Sequence, residues 1–223
     1  MEKILDKETQ NKVREILEKL TEPVQLLLFK NDGEYSEIVE QLLEELRELD
    51  DRIKVDTRHS DSQEINNYDI EKDLLPAMLI LDNEGRDYRI RYYGIPSGYE
   101  FATFLQNIIA VSNKTVDSFN NENKEKLSQI DKNVRIRVFV TPTCPYCPRA
   151  VFAAHQTAML NPNIIGEMIE ANEFDSISFE YAVSSVPHTV IEVKENGTWV
   201  KKGEFVGAYP ENSFVEEVLK AVE

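Results

Sequence analysis

The chain has 223 residues, with 41 acidic against 25 basic side chains and a formal charge of −16, which makes a nucleic acid a poor partner because phosphate binding relies on clustered Lys and Arg. Hydrophobic residues make up 41%, enough to bury a core, and this excludes global disorder. No apolar run reaches the roughly 18 residues of a membrane helix, and MEKILDKETQ lacks a basic start followed by an apolar run, so the expectation is a soluble, cytoplasmic protein with no membrane partner.

In chain order, apolar spacing predicts a helix over 6–20, a strand over 24–29 (VQLLLF), a helix over 34–49 with Ile38, Leu42, Leu43 and Leu46 on one face, and a strand over 53–56. A short helix at 63–68, strands at 78–81 and 88–92, and a helix at 97–111 follow. The series then repeats: helix 115–129, strand 135–140, helix 145–160, strand 164–170, short helix 174–182, strands 188–193 and 198–205, and helix 210–222. The offset is about 111 residues. It aligns Pro76 with Pro187, each directly before an apolar run, and GEYS at Gly33–Ser36 with CPYC at Cys144–Cys147. With a two-residue slip, Gly94 aligns with Gly207 and Phe101 with Phe214. The expected architecture is α/β, a small mixed sheet with helices on both faces, built twice, with modules at 1–111 and 112–223. By count, the first module nets −11 (14 basic, 25 acidic) and the second −5 (11 basic, 16 acidic).

The two cysteines, Cys144 and Cys147, lie three apart at a strand-to-helix junction, TPTCPYCPRA. A helix beginning at or just after Cys144 would offer unpaired N–H groups and a positive dipole end, lowering the thiol pKa below about 8.5. Cys144 is then expected to attack a substrate disulfide, and Cys147, one turn on and more shielded, to resolve the mixed disulfide. Pro145 suits a first helical turn, whereas Pro148 should distort the helix near the carbonyl of Cys144. Two other readings stand beside this: inert buried thiols, or metal ligands. A lone C-x-x-C supplies only two of zinc's four ligands, and His59, His155 and His188 show no H-x₃₋₅-H spacing, so no metal within one chain is expected. His155 is expected to be structural, and His188, directly after Pro187, is a candidate to border the cleft.

CPYC after a strand resembles the glutaredoxin active site, and VPHTV resembles the thioredoxin-fold cis-proline loop. Over nearly its full length the chain resembles the two-module protein disulfide oxidoreductases of archaea and bacteria, through VFVTPTCPYCP, GIPSGYEF and FVGAYP. It is also similar to the N-terminal domain of the alkyl hydroperoxide reductase flavoprotein, through AMLNPNI, IEANEF and VPHTV. The first family commonly carries C-x-x-C in both modules. The second carries it only in the second module, as here, and is followed by a flavin domain that these 223 residues do not contain.

The resemblance implies two tandem thioredoxin-like folds, the first without a dithiol. It implies a cis bond at Pro187 that places the backbone of Val186 beside Cys144 to pair with an extended substrate, with Tyr146 and Pro145 also touching substrate. It implies a thiol–disulfide oxidoreductase acting on protein disulfides with no cofactor beyond the Cys144–Cys147 pair, fed by a thioredoxin-reductase-like flavoprotein and serving a peroxiredoxin. Glu100 shares a helical face with Phe104 and Ile108, and the G-x-E-F glutamate of these families lies close to the second module's dithiol. Glu100 is expected to move a proton to or from Cys147, a role left open because the position six before Cys144 is Val138. The alternatives are a Glu100 that merely suits the helix dipole, a non-catalytic adaptor, and a glutathione- or iron–sulfur-binding glutaredoxin-like protein.

Overall fold

The structure is a computed structural model that describes residues 3–223. Its elements, in order, are α1 (Lys7–Leu17), β1 (Val24–Lys30), α2 (Glu34–Leu49), β2 (Ile53–His59), two 3-10 turns (Gln63–Asn67 and Lys72–Leu74), β3 (Ala77–Leu81), β4 (Ile90–Tyr93) and α3 (Glu100–Asn113). Then come α4 (Asn121–Ser128), β5 (Val134–Val140), α5 (Cys147–Leu160), β6 (Ile164–Glu170), α6 (Asp175–Glu180), β7 (His188–Glu195), β8 (Thr198–Val206) and α7 (Glu211–Val222). The chain divides into two units. One holds the residues through Asp87 with Tyr92–Ile95 and Phe104–Thr115; the other holds Val116–Glu223 with Tyr88–Arg91 and Pro96–Thr103. The division is thus interleaved, where the sequence suggests one cut after residue 111.

In the first unit β1 is central, parallel to β2 and antiparallel to β3, which pairs antiparallel with β4. Its run Leu26–Phe29 is buried throughout, as a strand covered on both faces requires. Helix α2 turns Val39, Leu42, Leu43 and Leu46 inward, while Ile38 is only half-buried. The second unit repeats the plan. β5 is parallel to β6 and antiparallel to β7, and β7 pairs with β8 through a bulge at Ile191/Glu192. The register Val24↔Ile53 recurs as Val134↔Ile164.

The two faces of the second sheet differ. Helix α5 packs on β5 and β6, α7 on β7 and β8, and α4 against α5 and α7. The opposite face carries charge: Arg135 pairs across the strands with Glu192 at 2.6 Å, and Arg137 lies 2.9 Å from Glu167 and 3.5 Å from Glu192. All four are buried, with Tyr181 donating its hydroxyl proton to Glu192 at 2.5 Å. RIRVFV therefore runs as a strand whose arginines are interior, not as a simple apolar run. Burying a charge this way requires a paired and hydrogen-bonded partner.

Two local expectations fail. Residues 115–120 are not helical; α4 starts at Asn121, and the Asn120 side chain caps it by accepting from the Asn123 N–H at 2.9 Å. Asn and Ser compete for backbone hydrogen bonds, which favours a cap over a helix interior here. Helix α5 starts at Cys147, not beside Cys144, so Pro148 falls in the first turn, where no intrahelical N–H is needed and no distortion arises.

Candidate active site

The turn between β5 and α5 places the cysteines. They form a disulfide with Cα atoms 5.5 Å apart. The Cys144 N–H donates to the Thr141 carbonyl at 3.2 Å, closing the turn, and the Cys147 N–H donates to Cys144 Sγ at 3.2 Å. That second bond follows from where the helix begins: Cys147 is its first residue, and its N–H has no carbonyl inside the helix to meet. Cys144 is 7% exposed and Cys147 fully buried. Thr143, Pro145, Tyr146 and Arg149 are exposed around them, Tyr146 at 69%.

The loop before β7 shares a groove with this turn, at Thr141 and Val186. The Val186–Pro187 bond is cis, Val186 is half-buried and Pro187 buried. The Gly207 N–H donates to the Pro187 carbonyl at 2.8 Å, which brings the FVGAYP loop against it, with Tyr209 stacked on Phe205 at 4.3 Å. Neither the N–H nor the C=O of Val186 has an intramolecular hydrogen bond among the described residues. Beside it a groove of about 510 Å³ runs along Thr141, Asn172, Ser178, Phe179, Val183 and Val186. Phe179, 89% exposed, carries no signal in the sequence because short helices give too little periodicity to assign a face.

Glu100 is the first residue of α3 and is 1% exposed; neither carboxylate oxygen has a hydrogen-bond partner among the described residues. Burial lifts its pKa to about 7. It belongs to the same unit as the dithiol, through the segment Pro96–Thr103. That segment meets the dithiol turn at one carbonyl: the Tyr99 N–H donates to Pro142 O at 3.1 Å. Val138, six residues before Cys144, is buried and apolar.

The histidines divide. His155 is fully buried in α5, where burial pushes its pKa down to about 3 and keeps it neutral. His188 is buried beside the Phe139 ring, with Nε2 3.1 Å from Glu204.

In the first unit the aligned position is closed. Ser36, fully buried, donates to Asn31 Oδ1 at 2.8 Å and accepts from the Asn31 N–H at 3.1 Å. Asn31 Nδ2 donates to the Leu75 carbonyl at 3.3 Å, just before the cis bond to Pro76. Tyr35 is 44% exposed.

Residues 134–220 match the thioredoxin domain family. An alkyl hydroperoxide reductase protein of Escherichia coli is 27% identical over 197 residues, covering 87% of this chain and 35% of that protein, so the chain spans about a third of the length of the curated relatives it matches. Among solved structures, the NTD_N/C domain of the Enterococcus faecalis alkylhydroperoxide reductase superposes with a TM-score of 0.83 at 26% identity, over 96% of this chain and 99% of that one. A protein disulfide oxidoreductase from Aeropyrum pernix superposes with a TM-score of 0.83 at 28% identity, over 99% and 95%. Residues 134–220 thus match the thioredoxin domain family, and the chain as a whole has the fold of two tandem thioredoxin-like modules, similar to this disulfide oxidoreductase and this hydroperoxide reductase domain.

Proposed function

We propose that this protein is a thiol–disulfide oxidoreductase whose working groups are Cys144 and Cys147, with no cofactor beyond them. The observation that carries the reading is the Cys147 N–H aimed at Cys144 Sγ at the opening of α5. A thiolate on Cys144 accepts that bond and faces the positive end of the helix, so its pKa is held below that of a free thiol. Cys144 is also the more accessible sulfur.

The reduced protein attacks a substrate disulfide with the Cys144 thiolate. One substrate sulfur leaves as a thiolate and the other is held in a mixed disulfide. Cys147 gives up its proton, attacks Cys144 Sγ and expels the second substrate thiolate, so the substrate gains two electrons and the Cys144–Cys147 disulfide forms. Glu100, buried, without a hydrogen-bond partner and with a pKa near 7, is suited to take the Cys147 proton. The unpaired N–H and C=O of Val186 are suited to bind an extended substrate segment beside Pro187, with Tyr146 and Pro145 on the outer rim. Electrons return from a thioredoxin-reductase-like flavoprotein and pass on to a peroxiredoxin. The relatives' name, alkyl hydroperoxide reductase, supports that direction.

The test is trapping in lysate. A Cys147→Ser variant should accumulate mixed disulfides on Cys144, and a Cys144→Ser variant should not. Equal trapping by both variants overturns the assignment of attacker and resolver, and capture by neither overturns the oxidoreductase reading.

A further inference from the structure

Gly98 has φ +59°, a left-handed conformation that a residue with a β-carbon adopts only at a cost. A β-carbon there would stand 2.8 Å from the Pro142 carbonyl carbon and closer still to its oxygen. Backbone cannot give way as a flexible side-chain tip can, so the approach needs glycine. The next residue, Tyr99, donates its N–H to that same carbonyl oxygen at 3.1 Å, and the one after it is Glu100. On the other side of the carbonyl, Thr143 leads to Cys144, whose N–H returns to Thr141. One peptide group therefore joins the dithiol turn to the start of α3. Gly98 and Tyr99, although far upstream in sequence, belong to the dithiol's own unit.

We propose that Gly98 and Tyr99 are positioning residues that clamp the dithiol turn through the Pro142 carbonyl, keeping the Cys147 N–H on Cys144 Sγ and Glu100 in register with the pair. The clamp rests on the oxidoreductase reading above. It acts on the turn as a lever: displacing Pro142 rotates the residues between Thr141 and Tyr146, and the sulfur loses its alignment with the first N–H of α5. The rest of the helix need not change.

The second unit supplies its own control. Gly197, in the β7–β8 turn, has φ +85°, but a β-carbon added there would meet no atom within 4 Å. Asparagine tolerates this backbone conformation better than most residues, so Gly98→Asn isolates the steric clash and Gly197→Asn isolates whatever backbone strain is left. The experiment measures iodoacetamide alkylation of Cys144 in the reduced full chain across pH, following the modified residue by mass spectrometry. Wild type should alkylate faster than a model thiol at neutral pH. Gly98→Asn should lower that rate by at least about fivefold by moving the thiol toward its ordinary pKa, and Gly197→Asn should stay within about twofold of wild type.

A wild-type rate no greater than the model thiol's would sink the oxidoreductase reading itself. A fast wild type with an equally fast Gly98→Asn would overturn the clamp alone. Should Gly98→Asn fail to fold, amide exchange in the wild type decides: a protected Tyr99 N–H supports the clamp, and a Tyr99 N–H exchanging at the rate of an unstructured peptide overturns it.

Discussion

At residues 31–36 the first unit reads Asn-Asp-Gly-Glu-Tyr-Ser where the second, at 142–147, reads Pro-Thr-Cys-Pro-Tyr-Cys. The backbone plan around them is the same, a central strand leading into a helix and facing a cis-proline loop, and the hydrogen bonds are not. In the first unit Asn31 engages both the Ser36 hydroxyl and the Leu75 carbonyl. In the second, Pro142 has no side-chain donor for that task, and the Val186 carbonyl that matches Leu75 is left without an intramolecular partner among the described residues. Loss of the thiols thus goes with closure of the position at which an extended peptide would pair. The first site is a packed junction and the second is an open one.

The largest effect expected from this comparison is on turnover. Replacing both Cys144 and Cys147 by Ser should lower the reduction of a test disulfide such as insulin by about 10⁴-fold or more, as for catalytic groups that act as a unit. Adding Gly33→Cys and Ser36→Cys to that variant should restore no more than about 1% of the lost rate, because the loop is misplaced for attack. Asn31→Pro on top of these frees the Leu75 carbonyl and should raise the rate again. If thiols alone restore full activity to the first unit, the contrast drawn between the sites is wrong.

The sheets sharpen the contrast. At the strand position where the second unit buries Arg137, the matching register of the first places Leu27. Arg137→Ala takes the guanidinium from beside Glu167 and leaves Glu192 with Arg135 and Tyr181, and should cost about 3 kcal/mol in urea unfolding. Leu27→Ala should cost a similar ~2–5 kcal/mol by leaving a cavity. Arg137→Met, which keeps most of the buried volume, should fall below Arg137→Ala in cost. A cost for Arg137→Ala of under about 1 kcal/mol, the level of an exposed pair, would show that the network is structurally idle.

Much of this is legible from residues alone. The repeat, the strand–CPYC–helix junction and the α2 and β6 boundaries are all local: period, turn residues and a fixed offset suffice. What is illegible depends on partners distant in the chain. The burial of Arg135 and Arg137 requires Glu192 and Glu167 opposite them, and alternation in RIRVFV reads equally well as a half-exposed strand. Gly98 looks like any glycine ahead of a helix, because its reason is a carbonyl about 44 residues later, a separation that no local pattern spans. Ser36 reads as a lost thiol, and only the structure shows its hydroxyl closing on Asn31. The start of α5 fails for a local reason: a first turn at Pro145 puts Pro148 inside the helix, whereas the helix begins at Cys147 and Pro148 is the proline of its first turn.

Glu100 gives a pH-dependent expectation. Its pKa rises from 4.5 to about 7 on folding, so between those values the folded state keeps a proton that the unfolded state has released. Stability from this group is therefore full below about pH 4.5, falls as pH rises to about 7 and is flat above, with a total change of ~3 kcal/mol. Glu100→Gln removes the titration. Relative to wild type it should gain up to about 3 kcal/mol at about pH 8 and little at about pH 4.5, a difference that Tm measured at the two values would reveal. The same variant should lose the corresponding limb of the pH–rate profile for disulfide reduction. Equal Tm shifts at both pH values would mean that Glu100 titrates normally, and the contrast between the open site and the closed one would lose its electrostatic half.

The smallest effect belongs to the closed site. Ser36→Ala removes the hydroxyl that donates to Asn31 Oδ1 and accepts from the Asn31 N–H, in a position with no solvent access. Two groups then lose a partner. The Asn31 N–H is left without its acceptor, while Oδ1 keeps the Gly33 N–H at 2.9 Å and Nδ2 keeps the Leu75 carbonyl. The expected cost is about 1–2 kcal/mol in urea unfolding, the range for a part-buried hydrogen-bonded pair with one member removed. Cys144 alkylation should not move, since no residue of the dithiol turn depends on Ser36. A change in that rate would mean that the closed junction communicates with the open one, and the first unit would then be a regulator of the dithiol and not only the frame that holds its half of the fold.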